Sequence, residues 1–390
     1  MKGLEILDLT KATQKKKFQA LVKKTPGLRI VDAFEDQLKE LFLVRHPKLK
    51  FNPEEAKKQS TAFINSQKEK QRPEEQGRWI YFEWNNALVH ILAEPDFFEL
   101  RVSRNHNLIT KEEQETLRGF RIGIAGLSVG NSIALALALE GFEKMRLADF
   151  DELSLSNLNR IRASIIQLGT NKAILTARQI YELNPYAKLE LFQKGIKEEQ
   201  PLKKFLAGPP KLQLLIDEMD DVIMKIRLRL IARKLRIPVL SAADNGDNAI
   251  IDVECFHLES ARKIYHGTIG EFGSPRLKEI SFPDKMKLLP KIVGIELVTS
   301  RMKQSFLAVG KILYAWPQLG GAAMLSGAAI AYLVKKIALH EKLPSGKYDV
   351  SLERIFDSHY DSPKVKRGRE REMQDFLVEQ NRIFGGRKTL

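Results

Sequence analysis

RIGIAGLSVGNSIALALALEGFEKMRLADFDELSLSNLNR, residues 121–160, is the stretch whose reading decides the fold. It opens with a short apolar run that stops at Gly126. NSIALALALE carries apolar residues at helical spacing and is closed by Gly141, a residue that commonly ends helices. KMRLA is a second apolar run of strand length. Runs that do not alternate with polar residues belong to strands covered on both faces.

The same alternation continues downstream. ILTARQIYELN (174–184) reads as a helix, KLELFQ (188–193) and LQLLID (212–217) as strands, DVIMKIRLRLIARKLR (221–236) as a long helix and IPVLSAA (237–243) as a strand. Strands alternating with helices in this way predict an α/β fold, a Rossmann-like, mostly parallel sheet with helices on both faces. Upstream the texture differs. Residues 31–45 have apolar spacing of three and four, Pro53-Glu54-Glu55 reads as a helix start, RPEEQG (72–77) punctuates the chain, and GRWIYFEWNNALVHILA (77–93) predicts a hairpin around Asn85-Asn86. The expected organisation is an N-terminal, mainly helical α+β domain over 1–100, the α/β domain over 101–345 and a charged, mobile tail over 346–390.

Composition narrows the function. The chain has 390 residues and a net charge of +15, with its basic residues scattered in runs at 15–17, 23–24, 57–58 and 364–371. Interleaved aromatics of the kind that stack on RNA bases do not accompany these runs, so they read as solvated faces, with acidic partners still open. One cysteine, Cys255, excludes an internal disulfide framework and a cysteine-cluster zinc site. It lies in the alternating run IIDVECF and reads as a core residue, which argues against a thioester on this chain. The longest apolar stretch, 319–334, ends in Lys335-Lys336 and reads as a packed core helix, and the N-terminus lacks a signal pattern. A cytoplasmic protein without a membrane partner is expected.

The turn Gly126-Leu127-Ser128-Val129-Gly130 admits three readings. It is a phosphate-approaching loop at a helix N-terminus, or the G-x-S-x-G nucleophile elbow of a serine hydrolase using Ser128, or a turn without a ligand. Asp149, 23 residues after Gly126, stands where a nucleotide-binding unit keeps an acid for ribose hydroxyls. The acidic and amide cluster that follows is unexplained by the hydrolase. Asp149, Asp151, Asn157, Arg160 and Lys172 gather a carboxylate, an amide, a guanidinium and an ammonium at the carboxyl ends of parallel strands, where ligands bind. A further strand ends in Asp217-Glu218-Met219-Asp220-Asp221, whose carboxylates suit Mg²⁺.

With DFDELSLSNLNR (149–160), GTNK (169–172), Asn184-Pro185, Asp217 with Asp220, IPVLSAA and Arg101-x-x-Arg104, the chain resembles the ThiF/MoeB/HesA superfamily of ubiquitin-activating-enzyme-like adenylyltransferases. The resemblance covers residues 100–340 and implies ATP and Mg²⁺ as cofactors. It implies that Gly126, Ser128 and Gly130 form the phosphate loop. Asp149, with Asp151 beside it, would hold the ribose. Asn157, Arg160 and Lys172 would meet the phosphates, Asp220 would bind Mg²⁺, and Arg104 would act on the neighbouring subunit of a homodimer. The catalytic set is then Arg160, Lys172, Asp220 and Arg104. The implied reaction makes an acyl-adenylate from a peptide, small-protein or other carboxylate and releases pyrophosphate. Alternatives are a member that activates and cyclises threonylcarbamoyl-adenosine in tRNA, and a nucleotide-binding scaffold without catalysis. This chain departs from the family pattern in three ways. Its glycine-rich turn is one residue shorter with Ser128 in a glycine's place, Ile161 replaces the usual glutamine, and paired zinc cysteines are absent.

Overall fold

Short apolar segments line up side by side in the computed structural model, which describes residues 3–270 and 280–384. The chain divides into two compact units, residues 1–114 with 181–187, and residues 115–180 with 188–390.

The first unit contains β1 (Leu4–Leu7), α1 (Ala12–Lys24), β2 (Arg29–Asp32), α2 (Phe34–Arg45), α3 (Pro53–Lys70), β3 (Arg78–Phe82), β4 (Ala87–Ile91) and α4 (Asp96–Arg101). Its sheet has the order β1-β3-β4-β2, with β2 running parallel to β4 and the other pairs antiparallel. The expected hairpin is β3–β4, turned at Asn86 in left-handed backbone (φ +47°). Pro53 starts α3 as expected, and Asn52 caps it by accepting from Glu55 N at 3.3 Å. Residues 181–187 join this unit for a physical reason. Glu182 accepts from Trp84 Nε1 (2.5 Å) and Asn85 Nδ2 (2.8 Å), and the Tyr186 hydroxyl donates to Leu92 O (2.8 Å). The division therefore falls after Gln114 instead of at residue 100.

The second unit begins in α5 (Lys111–Gly119) and continues through β5 (Arg121–Ala125), α6 (Val129–Leu139), β6 (Lys144–Ala148), α7 (Lys172–Leu183) and β7 (Lys188–Phe192). Next come α8 (Glu199–Ala207), β8 (Leu214–Asp217), α9 (Val222–Lys234), β9 (Val239–Asn245) and β10 (Asn248–Glu254). Helices α10 (Phe282–Val293), α11 (Ser300–Ala308) and α12 (Gly320–Ala338) precede β11 (Gly346–Val350), α13 (Leu352–Phe356) and α14 (Pro363–Phe384). The sheet order is β11-β10-β9-β8-β5-β6-β7. The five strands from β9 to β7 are parallel, and β10 and β11 extend the sheet antiparallel. The chain starts in the middle at β5, winds outward to β7, then returns to β8 beside β5. That reversal between β5 and β8 is the switch point at which doubly wound sheets open a crevice.

Both faces are covered. On one, Leu202, Phe205 and Leu206 of α8 pack with Val222, Met224, Ile226 and Leu228 of α9. On the other, α12 packs against α6, β9 and β10. By length and composition α12 could cross a membrane. Its Ala322, Ala323, Ser326, Gly327, Ile330, Ala331 and Val334 are instead buried, and a Cβ on Gly327 would stand 3.0 Å from Ser132 O of α6. It is a core helix, as its sequence predicts. The expected mobile tail is corrected up to residue 384. β11 pairs with β10, and α14 buries Phe376 against Phe306 of α11, with ring centroids 5.4 Å apart. The last six residues, 385–390, lie outside the described residues.

Candidate active site

The site is built at the carboxyl ends of β6, β5, β8 and β9. Asp149 follows β6 directly and is buried. Its Oδ2 accepts from Leu127 N (2.7 Å) and its Oδ1 from Asp151 N (2.8 Å), which ties the glycine-rich turn to the end of β6. Burial raises its pKa against these two hydrogen bonds and the charge of Lys172. Each oxygen keeps a second lone pair for a ligand hydroxyl. Lys172 is the first residue of α7; its Nζ is buried and meets Asp151 Oδ2 at 3.0 Å.

Gly126 is required by its surroundings. Its φ is +89°, and a Cβ there would run into the Glu218 backbone that follows β8. The turn from β5 therefore presses against the loop from β8, which only a residue without a side chain permits. Ser128 stands at the start of α6 but does not cap it through its side chain, and Gly130 follows inside the first turn.

Arg160 reaches back to this turn. Its Nε donates to Ser128 Oγ (2.8 Å), and its Nη1 donates to Asn159 Oδ1 (2.9 Å) and Ser156 O (3.2 Å). Burial lowers its pKa, while Asp220 and Asp244 act in the opposite sense. Asn157 is buried, and its amide oxygen closes the local turn by accepting from Ser154 N (3.1 Å). Beside it, Asn159 Nδ2 donates to Gln318 O (2.7 Å), just ahead of α12.

The acids after β8 have separate fates. Asp217 is fully buried and paired with Arg229, with Lys225 Nζ at 3.5 Å. Arg229 in turn meets Glu254 Oε2 at 2.6 Å and donates to Ser241 Oγ at 3.1 Å. Despite the burial, the two cations hold the Asp217 carboxyl below its ordinary range. Asp221 caps α9, accepting from Ile223 N (2.9 Å) and Met224 N (3.1 Å). Asp217 therefore does not cap that helix, and it is not free to bind metal. Asp220 is exposed.

Direct contacts link Lys172 to Asp151, Asp149 to Leu127 and Asp151, and Arg160 to Ser128, and the charge of Asp220 acts on Arg160. Arg104 lies on an exposed turn of the first unit, Ser103–Asn105. Sequence reasoning missed Asp244 and named Glu218 only as one of the acids after β8. Glu218 accepts from Ala242 N (2.8 Å), and burial raises its pKa well above normal. Asp244 accepts from Ser326 Oγ (3.2 Å), and burial pushes its pKa up to about 6. The available signal was position, since Asp244 directly continues IPVLSAA at the carboxyl end of a parallel strand.

Two expectations about nucleophiles are decided by geometry. Ser128 Oγ faces an arginine, which only donates and does not serve as a base. Cys255 is buried, its Sγ lies 3.4 Å from Leu343 O, and burial raises its pKa, all unlike a reactive thiol.

Among known proteins, the sequence pattern described as the ThiF family matches residues 102–255. The uncharacterised protein MT1398 of Mycobacterium tuberculosis is 37% identical over 296 residues, covering 76% of this chain and 41% of that protein. The chain thus spans about two fifths of that relative's length. A tRNA threonylcarbamoyladenosine dehydratase of Bacillus subtilis is 28% identical over 195 residues, covering 48% of this chain and 76% of that protein. Among solved structures, that of PaaA is similar with a TM-score of 0.45 and 21% identity, over 66% of this chain and 77% of that one. The matched segment, residues 102–255, holds the glycine-rich turn, the Asp149–Arg160 cluster and the end of β8, and it is this part of the chain that is similar to the ThiF family.

Proposed function

We propose that this chain is an ATP-dependent adenylyltransferase that activates a carboxylate, on a peptide or small-protein C-terminus, as an acyl-adenylate. The supporting observation is one continuous line of groups across the switch point. Lys172 acts on Asp149, Asp149 holds the turn that carries Ser128, Ser128 holds Arg160, and Arg160 feels Asp220. An acid at one end suits ribose hydroxyls, and the cations suit a triphosphate. The exposed Asp220 offers the hard oxygen that Mg²⁺ prefers, whereas Asp217 is locked in its ion pair. Magnesium bound there would screen phosphate charge.

In the reaction, an oxygen of the substrate carboxylate forms a bond to the α-phosphorus as the bond to the bridging oxygen breaks, and pyrophosphate leaves. The residues contribute position and charge neutralisation, not proton transfer. Asp149 orients the nucleoside, and Arg160 and Lys172 take up charge on the leaving group. The buried Cys255 supports transfer without a thioester on this chain. ATP as co-substrate fits a cytoplasmic protein. ATP–pyrophosphate exchange tests the reading: Arg160→Ala and Asp220→Asn each abolish it, and full exchange in both variants would defeat it.

A second reading keeps the chemistry and changes the substrate to a modified tRNA. The similarity to the Bacillus subtilis dehydratase and the net charge of +15 favour it. Tight tRNA binding that weakens steeply with salt would support it, and no binding at low salt would remove it.

A further inference from the structure

Arg160 lies among acids without an ion pair to any of them, among the described residues. Asp220 and Asp244 both act on its charge, yet its hydrogen bonds go to neutral oxygens on Ser128, Asn159 and Ser156. On the α12 side, where Gly320 lies against Asn159 and Arg160, Asp244 has one oxygen bonded by Ser326, while Oδ2 is buried and has no hydrogen-bond partner among the described residues. An arginine beside a carboxylate with a spare oxygen ordinarily closes into a short, charge-assisted pair. Leaving a buried carboxylate oxygen unmatched also has a cost that such a pair would relieve. A restraint on Arg160 explains why the pair does not form.

The geometry points to Ser128 as a positioning residue whose hydroxyl holds Arg160 off Asp244, keeping the guanidinium charge uncommitted and available to the phosphates of ATP. This rests on the nucleotide reading proposed above. It accounts for the chain's departure from the family pattern, in which a glycine stands where Ser128 does. A glycine offers no acceptor to Arg160 Nε, and this chain has an acid at 244 from which the arginine must be kept. Ser128 is free for the task because its side chain does not cap α6. As the acceptor from Arg160, it also keeps its own O–H to donate to a phosphate oxygen. The arginine is thus set before the ligand arrives, and no ion pair has to break for it to bind.

Dissociation constants for ATP and for AMP on the full chain test this, because Arg160 is expected to reach phosphates that AMP lacks. The wild-type chain should prefer ATP. Ser128→Ala, and as a second hydroxyl-free variant Ser128→Gly, should lose about tenfold in ATP affinity with AMP binding changed less than about twofold. Ser128→Thr, which keeps the hydroxyl, should retain the preference. The deciding variant is Ser128→Ala combined with Asp244→Asn: with no carboxylate to capture Arg160, ATP affinity should recover to within about threefold of wild type. An unchanged ATP-to-AMP ratio in Ser128→Ala and Ser128→Gly would overturn the proposal. So would equal loss of both nucleotides, the result of a merely structural role, or no recovery in the double variant. A wild-type chain with no preference for ATP over AMP would overturn the nucleotide reading itself, and the role of Ser128 with it.

Discussion

Asp244 shows how one side chain adds a pH dependence to the whole molecule. Its carboxyl is raised from 3.8 to about 6 by burial, with Ser326 and Arg160 opposing the shift. Between these values the folded chain holds a proton that the unfolded chain has lost. Stability from this group is therefore fully present below 3.8 and is lost as pH rises through about 6. Urea denaturation followed from pH 4 to 8 should show wild type losing stability relative to Asp244→Asn over about two units of pH. Parallel pH profiles for the two proteins would show that the shift is absent. The acids after β8 make the complementary point. Asp217, Asp220 and Asp221 are the same residue type within five positions, yet one is locked to Arg229, one is exposed and one caps α9. Local sequence does not distinguish them. What separates them is the presence of Arg229 about two turns into α9, which pairs with the first acid.

Elements are where the sequence was most legible. The runs read at 121–125, 144–148, 188–193, 212–217 and 237–243 became the parallel strands β5 to β9; the central β8 is apolar and buried up to Asp217, whereas the edge strand β7 alternates polar and apolar residues. The turn after β5 is the least tolerant of these connections, since Gly126 combines positive φ with contact against the Glu218 backbone. Gly126→Ala should cost about 1–3 kcal/mol in a urea melt and should weaken ATP binding, because the turn that presents Ser128 must shift. Full stability and full ATP affinity in that variant would mean the turn has room that its geometry denies. The C-terminal region was misread for a related reason. Its helix α14 is so charged that composition alone suggests a tail, but Phe376 packs against Phe306 and the buried Gln380 donates to Met286 O of α10 (2.9 Å), which hold it in place.

At the scale of the molecule, Arg104 belongs to the first unit and the other predicted catalytic residues to the second. The family resemblance assigns Arg104 to the active site of a second copy in a homodimer. Arg104→Ala and Arg160→Ala chains should then be inactive separately and complement when mixed, because a mixed dimer holds one intact site. Equal mixing should restore about a quarter of wild-type ATP–pyrophosphate exchange if subunits exchange freely. A mixture that stays inactive while running as a dimer in sedimentation would show that Arg104 does not act across subunits. The first unit itself was only partly legible. Its hairpin and α3 followed from turn and capping residues, but β1 and β2 are four residues each and too short to give a periodic signal.

By itself, the sequence determined most of the strands and helices around β5 to β9, the glycine-rich turn and the acid, amide and basic residues that follow β6. These depend on local periodicity and on residue chemistry within a short span. The tertiary structure alone decided that Asp217 is locked to Arg229 while Asp220 stays exposed, that Ser128 Oγ accepts from Arg160, and that Asp244 is buried and bonded by Ser326. Those properties depend on burial and on partners from distant strands and helices, and a side chain's charge and reactivity follow from what surrounds it once the sheet has assembled.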